Sequence, residues 1–432
     1  MVGIVLLAAN MRSALTSVAP LIGEIRVDTG ISNGVAGLLT TLPLLAFGVL
    51  SPVAPRLARR IGMERVLLAS LLLLAAGILL RSAGTVAVLF LGTAIVGAAI
   101  VVGNVLLPAL VKREFPERVG LMTSVYLTAL GISGALAAGV SVPLAQLTAG
   151  MGWRGSLALW ALPAFLAAVA WVPQLRSRDQ PENTSAQSSL GVSDLWRSAL
   201  AWQVTLFMGL QSLTYYVTLT WLPEILQEDG ISAARAGWML GITQAVAIVT
   251  IFLAPMLAGR RSSQQGVVVA AVSLSGLGTL GLLLAGSIGS VLWIVLLGLG
   301  QGACFGLALT LFALRAPDSE HAAALSGMAQ TFGYLFAAAG PFLFGVLRDA
   351  SHAWTVPLAL LFAITVCQLI AGLGAGRDAQ VAAPRSRRLS QKMPNDKRVT
   401  QYILWGRQVG PGGSVSFRRN PSLRRGGYEL RA

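Results

Sequence analysis

The chain has 432 residues, of which 55% are hydrophobic and only 11% charged, and its mean hydropathy is +0.72. A soluble domain carries roughly a quarter charged residues, so a soluble globular fold is excluded and a polytopic membrane protein is expected. The net charge of +15 is uneven: residues 377–432 hold 13 basic and 3 acidic side chains, whereas residues 1–376 hold 19 and 14. The two cysteines and two histidines have no metal-ligand spacing, so no metal or other cofactor is expected. Cys304 and Cys367 lie in apolar stretches and read as buried free thiols.

Windows of bilayer length give twelve apolar segments, at 2–22, 34–54, 64–83, 86–110, 119–145, 154–174, 201–222, 234–258, 267–286, 288–312, 323–347 and 353–374. The first, MVGIVLLAANMRSALTSVAPL, carries Arg12 near its middle. A guanidinium at that depth costs about 2.5–3.5 kcal/mol on insertion scales, so it should face protein or a water-filled cavity. On a helix advancing about 100° per residue, Asn10, Ser13 and Ser17 fall beside Arg12 and Thr16 in one polar arc. No basic region precedes the apolar run, which favours a retained span over a cleaved secretory signal. Because the run begins almost at Met1, it is compatible with a start upstream.

The fourth segment groups Gly97, Gly103, Asn104 and Pro108, and Asn104 is its one strongly polar residue at depth. Packing between helices and contact with a ligand are equally good readings of that amide. In the fifth, Thr123 and Tyr126 share a face. The fifth and eleventh run long and should tilt or kink. A polar, turn-rich stretch at 176–200 divides the spans six and six, giving expected bundles at 1–175 and 201–376 and a tail at 377–432. The Asn183-Thr184-Ser185 sequon in that stretch reads as chance.

The seventh segment, AWQVTLFMGLQSLTYYVTLTWLP, aligns Gln211, Tyr215, Thr218 and Leu222 at i, i+4, i+7 and i+11. A lipid-facing helix has no reason to align an amide, a phenol and a hydroxyl, although hydrogen bonding between helices accounts for any one of them. The tenth carries Gly298, Gly302 and Gly306 on a stripe suited to close packing, with Gln301 nearby. In the eleventh, Gln330 and Tyr334 share a face. Acidic residues are missing from the depth of every span, so Arg12 is the one deep charge, and an anionic or strongly dipolar solute fits it best.

Loop charges set the expected orientation. One side carries 13 basic residues (Arg56, Arg59, Arg60, Arg65, Lys112, Arg113, Arg118, Arg176, Arg178, Arg197, Arg260, Arg261 and Arg315) and the other 5 (Arg26, Arg81, Arg154, Arg235 and Arg348). By the positive-inside rule both termini are cytoplasmic. The halves also match weakly at a nearly constant offset of about 200 residues. Ser32, Ala36 and Gly37 stand against Ser232, Ala236 and Gly237, and Arg113 and Pro116 stand near Arg315 and Pro317. A parallel duplication places a solute site between the halves near mid-membrane. The tail, rich in arginine pairs and without a helical period, is expected to be disordered and suited to an anionic lipid surface rather than nucleic acid. No metalloprotease, nucleophile-elbow or phosphate-loop motif is present, so an enzyme is not expected.

The stretch Pro55-Arg56-Leu57-Ala58-Arg59-Arg60-Ile61-Gly62-Met63-Glu64-Arg65 resembles the G-x-L-x-D-R-x-G-R-[RK] gating motif of the major facilitator superfamily, departing from it at Pro55, Arg59 and Met63. Arg56, Arg59, Arg60 and Gly62 are the gating-loop residues that resemblance implies. More narrowly, the chain resembles the cyanate permease / 2-nitroimidazole transporter (CynX/NimT) family. The motifs are NMRSALTSVAPL (10–21), GNVLLPALVKREFP (103–116), WRGSLALWAL (153–162), AWQVTLFMGLQSLTYY (201–216) with Trp221-Leu222-Pro223, and LSGMAQTFGYLFAAAGPFLFG (325–345). The resemblance covers roughly 2–374 and leaves the tail without a counterpart.

It implies an all-α polytopic membrane protein of twelve transmembrane helices in two six-helix bundles, a monomer in a bacterial inner membrane. The implied activity is movement of a small anion or polar heterocycle by alternating access. Arg12, Asn104, Gln211 and Tyr215 fall inside matched motifs, and Tyr126, Gln301, Gln330 and Tyr334 complete the expected substrate-binding set. A multidrug-type exporter with a structural Arg12 is the alternative within transport. A membrane sensor that uses its basic tail is the alternative outside it.

Overall fold

The structure, a computed structural model, describes residues 2–51, 53–148, 150–176, 195–317, 319–381, 416–419 and 428–431. Residues 1–382 form one unit and 383–432 another. In the second unit, Ser416–Arg419 and Tyr428–Arg431 pair as two antiparallel strands, with Ser416 opposite Arg431. Of the basic tail, 382–415, 420–427 and 432 lie outside the described residues, as does 177–194 of the polar linker with Asn183.

The described elements of the first unit are all helical, because a helix satisfies each backbone N–H and C=O within itself where no water is available. Eleven segments among the described residues are long and apolar enough to cross a bilayer. The seventh span, Ala199–Glu228, also has the length at 30 residues. Its glutamines, threonines and tyrosines lower its hydropathy, and burial along most of Ala201–Leu226 keeps them from lipid. Leu72, Leu79, Leu91, Leu166, Leu277 and Leu284 are instead exposed, an apolar outer surface of the kind that faces lipid.

The first span runs further than its apolar window, and it is broken. It comprises a helix Val2–Thr16, a 3-10 turn Ala19–Leu21 and a second helix Ile22–Thr29. Pro20 has no N–H to give to Thr16 and cannot continue the ladder. Gly30, at φ 71°, closes the second helix in a left-handed conformation, which glycine adopts without a steric cost. The remaining spans are Asn33–Leu50, Met63–Ser82, Val86–Glu114, Val119–Leu147, Gly152–Trp171 with a turn at Trp160, Ala233–Gly259, Gln265–Ala285, Ser290–Arg315, Ser319–Ser351 and Thr355–Ala375. The fifth and eleventh spans, 29 and 33 residues long, carry Pro143 and Pro341 within them.

The offset repeat has a structural counterpart. Ser32 and Ser232 each occupy the N-cap position of a span, the second and the eighth. Five residues on, a Cβ at Gly37 would stand 2.3 Å from the Pro341 carbonyl oxygen of the eleventh span, and one at Gly237 would stand 2.7 Å from the Ala138 carbonyl oxygen of the fifth. The second span therefore packs on the eleventh, and the eighth on the fifth, at backbone-to-backbone range.

The buried apolar side chains form three clusters. One is drawn from residues 4–171, one from residues 195–381, and the third mixes both stretches. The mixed cluster holds Leu21, Ile25, Leu39, Trp153, Trp221, Ile225 and Trp354, so it closes the end opposite the basic loops. Polar ties reinforce that end. The Asp349 carboxylate accepts from Asn33 N (3.1 Å), Asn33 Nδ2 (2.6 Å) and Gly34 N (2.8 Å), at the start of the second span. Thr41 donates to the Ala338 carbonyl at 2.7 Å, and Arg26 pairs with Glu224 at 3.5 Å.

One sequence expectation needs correction. Cys304 is buried, but Cys367 is exposed on the outer face of the twelfth span, where its helical register turns it away from the core.

The glycine stripe of the tenth span lies on the eighth: Cβ atoms at Gly298, Gly302 and Gly306 would stand 2.4, 2.2 and 2.5 Å from the carbonyl oxygens of Thr243, Ala247 and Ile251. Such approach is what small residues permit between membrane helices. Gly298→Ala should push the two spans apart at a cost of about 1–3 kcal/mol, read as a lower melting temperature of the purified protein in detergent. An unchanged melting temperature would contradict the packing.

Candidate functional site

A cavity of about 540 Å³ lies at mid-depth, within the usual range for a small-molecule site. Arg12 enters it from the last turn but one of the helix Val2–Thr16. The fifth span makes room for the side chain: a Cβ at Gly134 would stand 2.6 Å from Arg12 Cγ. Arg12 Nη2 donates to the Tyr215 hydroxyl, and the guanidinium carbon lies 4.7 Å from the Tyr215 ring centroid. The same hydroxyl accepts from Gln244 Nε2 at 2.6 Å. One phenol oxygen of the seventh span is thus shared by a cation from the first span and an amide from the eighth.

The electrostatics are one-sided. Among the described residues, Arg12 is the one charged side chain lining the cavity, and no carboxylate forms an ion pair with it. Around it stand aromatic rings: Tyr215 and Tyr216 with centroids 5.0 Å apart, Tyr216 and Tyr334 at 6.5 Å, and Tyr334 and Phe47 at 5.3 Å. A guanidinium bonded to a phenol keeps further N–H donors for a bidentate acceptor. The arrangement suits an anion, or a polar ring that stacks on the aromatic wall.

Arg12, Asn104, Tyr126, Gln211, Tyr215, Gln301, Gln330 and Tyr334 all line this single cavity. The amides are held in place: Gln301 Nε2 donates to Thr218 Oγ1 at 2.9 Å, Gln330 Nε2 to Ser326 Oγ at 2.8 Å, and Gln211 Oε1 accepts from Ser212 Oγ at 3.2 Å. Thr218 therefore serves the cavity through Gln301, whereas Leu222 belongs to the apolar cluster at the closed end.

The polar arc of the first span divides. Asn10 Nδ2 donates to the carbonyls of Leu6 (2.8 Å) and Pro163 (3.2 Å), Ser13 Oγ to Asn10 O (3.3 Å) and Thr16 Oγ1 to Arg12 O (3.0 Å). Within the arc only Arg12 lines the cavity. Arg56, Arg59 and Arg60 are exposed on a short helix, Val53–Ile61, with Gly62 at φ 94° between it and the third span. None of the four lines the cavity.

Gln244 and Tyr216 were missed by sequence reasoning. Gln244 is the one amide in a 27-residue span, the kind of signal that singled out Asn104. Tyr216 sits a helical step of about 100° from the face drawn through Gln211 and Tyr215, and the cavity is broad enough to include both faces.

The lining extends from Arg12 and Tyr215 to Ser51, Pro108, Thr123, Phe252, Leu309 and Gly327, which stand toward the ends of their spans nearest Arg56, Lys112, Arg118, Arg260 and Arg315. In the other direction lies the mixed apolar cluster. The cavity therefore extends toward the basic-loop face and is closed at the opposite face.

The sequence profile of the Major Facilitator Superfamily matches residues 1–341. The uncharacterized transporter YycB of Bacillus subtilis is 48% identical over 389 residues, covering 90% of this chain and 96% of its own. The 2-nitroimidazole transporter of Escherichia coli is 43% identical over 379 residues (88% and 95%), and the cyanate transport protein CynX of Escherichia coli 31% over 349 (81% and 89%). Among solved structures, a D-xylose-proton symporter superposes with a TM-score of 0.73 at 15% identity, covering 88% of this chain and 97% of that one, a likeness of fold.

The direction in which the cavity extends can be tested with a thiol probe. In a chain carrying Cys304→Ala and Cys367→Ser, Asn104→Cys should react with a membrane-impermeant maleimide applied at the basic-loop face and be protected from the other face. Equal labelling from both faces, or labelling from the opposite face alone, would contradict the closure described.

Proposed function

The chain belongs to the Major Facilitator Superfamily and is therefore a multi-pass membrane transporter of small molecules rather than an enzyme, and from that premise we propose that it carries a small anionic or strongly polar solute by alternating access. Cyanate and nitroimidazole-like compounds, the solutes named for two of its relatives, are the first candidates. The observation that carries the proposal is Arg12: a cation lining a mid-depth cavity with no carboxylate beside it among the described residues.

Arg12 supplies the charge, and Tyr215 with Gln244 fixes its direction. Asn104, Tyr126, Gln211, Gln301, Gln330 and Tyr334 orient the bound solute. Arg12 belongs to the first bundle, 1–175, and Tyr215 and Gln244 to the second, 201–376, so a solute that takes the guanidinium donors binds where the two bundles meet. Release to the other side requires the bundles to rock. That motion separates Asp349 from Asn33 and Gly34, and Arg26 from Glu224, while the cavity's present opening closes. The protein acts as a monomer in a bacterial inner membrane with both termini cytoplasmic, so the state described opens to the cytoplasm.

The apolar remainder of the wall, with Phe47, Ile248, Phe252 and Phe305, favours a second reading, an exporter of small hydrophobic compounds in which Arg12 is structural. Uptake of labelled cyanate and of labelled 2-nitroimidazole into proteoliposomes separates the two. Loss of a charge-assisted hydrogen bond is worth about 1.5–3 kcal/mol, so Arg12→Gln should reduce saturable uptake by about tenfold or more, with Arg12→Lys intermediate. Full activity of Arg12→Gln, or transport restricted to apolar compounds and indifferent to residue 12, would favour the exporter.

A further inference from the structure

Arg12 is not the one sunken cation of the membrane body: Arg315 and Arg81 are each 2% exposed, and Arg81 borders the first span. Arg81 stands at the end of the third span, where the sequence places it with the loop residues, yet it is only 2% exposed. Its Nη1 donates to the Ala14 carbonyl at 2.7 Å and its Nη2 to Ser17 Oγ at 3.4 Å. Among the described residues its buried Nε has no hydrogen-bond partner and no carboxylate pairs with it. A buried ion without a counter-ion is costly, and a leucine would fill apolar space at that position without the cost. The guanidinium needs a reason of its own.

The reason lies in the first span. In an unbroken helix the Ala14 carbonyl would accept from the Val18 N–H. Here Val18 N reaches the Leu15 carbonyl instead, at 3.5 Å, and Arg81 takes the carbonyl that is freed. A buried carbonyl left unpaired beside a helix break is a destabilising group, so the cation and the break satisfy each other.

Arg81 is itself firmly seated, since a Cβ at Gly92 of the fourth span would stand 2.3 Å from its backbone nitrogen. Beyond the break, the turn Ala19–Leu21 is clasped by the fifth, seventh and eighth spans. Ala14 is two residues past Arg12. Returning its carbonyl to Val18 would carry the first helix up to the Pro20 break and rotate Arg12 relative to that clasped turn, away from Tyr215.

We propose that Arg81 is a positioning residue for transport: by holding the Ala14 carbonyl at the break in the first span, it sets the angle at which Arg12 meets Tyr215 and the bound anion. This rests on the reading of Arg12 as the anion anchor.

The test is a double-mutant cycle in proteoliposomes made with the full chain, with labelled cyanate or 2-nitroimidazole as probe, whichever the wild type takes up saturably. Arg81→Gln should raise KM at least tenfold with Vmax within twofold of wild type. Arg81→Lys, which keeps one donor for Ala14, should recover most of the loss. In an Arg12→Lys background, Arg81→Gln should add less than a twofold change, because the two residues act through one guanidinium position.

If Arg12→Gln leaves KM unchanged, the anchor reading fails whatever Arg81 does. If Arg12→Gln abolishes uptake while Arg81→Gln leaves KM unchanged, lowers Vmax alone, or adds in full to Arg12→Lys, the positioning role is overturned. Should Arg81→Gln fail to accumulate, Arg81→Lys is read in its place: with its shorter side chain KM should rise about two- to threefold at unchanged Vmax, and an unchanged KM would overturn the proposal.

Discussion

An uncompensated charge in a low-dielectric setting has to be solvated by something, and in this protein that requirement organises the interior. Arg12 has no described carboxylate for a partner, so its stabilisation comes from the Tyr215 hydroxyl and ring and from the cavity that reaches it. Tyr215 in turn is oriented by Gln244. The seventh span can be polar because burial shields it, and its burial follows from serving this interior. A bound anion would complete what the tyrosines begin.

The second constraint is closure at one end. Close glycine contacts bring the second and eleventh spans, and the fifth and eighth, to backbone range. Side-chain ties such as Asp349 on the start of the second span add direction to that contact. Each tie is modest beside the apolar cluster it borders, which is what a transporter needs if the same end is to open. A seal made only of large apolar area would have no defined register. One made of many buried ion pairs would be slow to part.

Much of the interior was legible in the sequence because polar residues at depth in apolar segments have few explanations. Arg12, Asn104, Gln211 and Gln301 stood out against their surroundings, and these line one cavity. The offset between Ser32 and Ser232 likewise marked equivalent span starts. What was not legible depended on three-dimensional register. Tyr216 lies one residue off the face that was drawn, and Cys367 turns outward from an apolar run. The first apolar window ends near residue 22 because Glu24, Arg26 and Asp28 follow, whereas helix continues to Thr29. Arg81 looked like a loop residue for a similar reason: hydropathy falls at the end of its span, and nothing local shows that the first span's free carbonyl waits there.

The central claim is that Arg12 holds the solute's negative charge. The most direct measurement is a structure determined with a small bromine-labelled carboxylate such as 4-bromobenzoate, whose anomalous signal locates the ring independently of the density for the acid. The account predicts the carboxylate within hydrogen-bond distance of the Arg12 guanidinium, with the ring against Tyr216, Tyr334 and Phe47. A ligand lodged among Ile248, Phe252 and Phe305 with Arg12 still bonded to Tyr215 alone would contradict it.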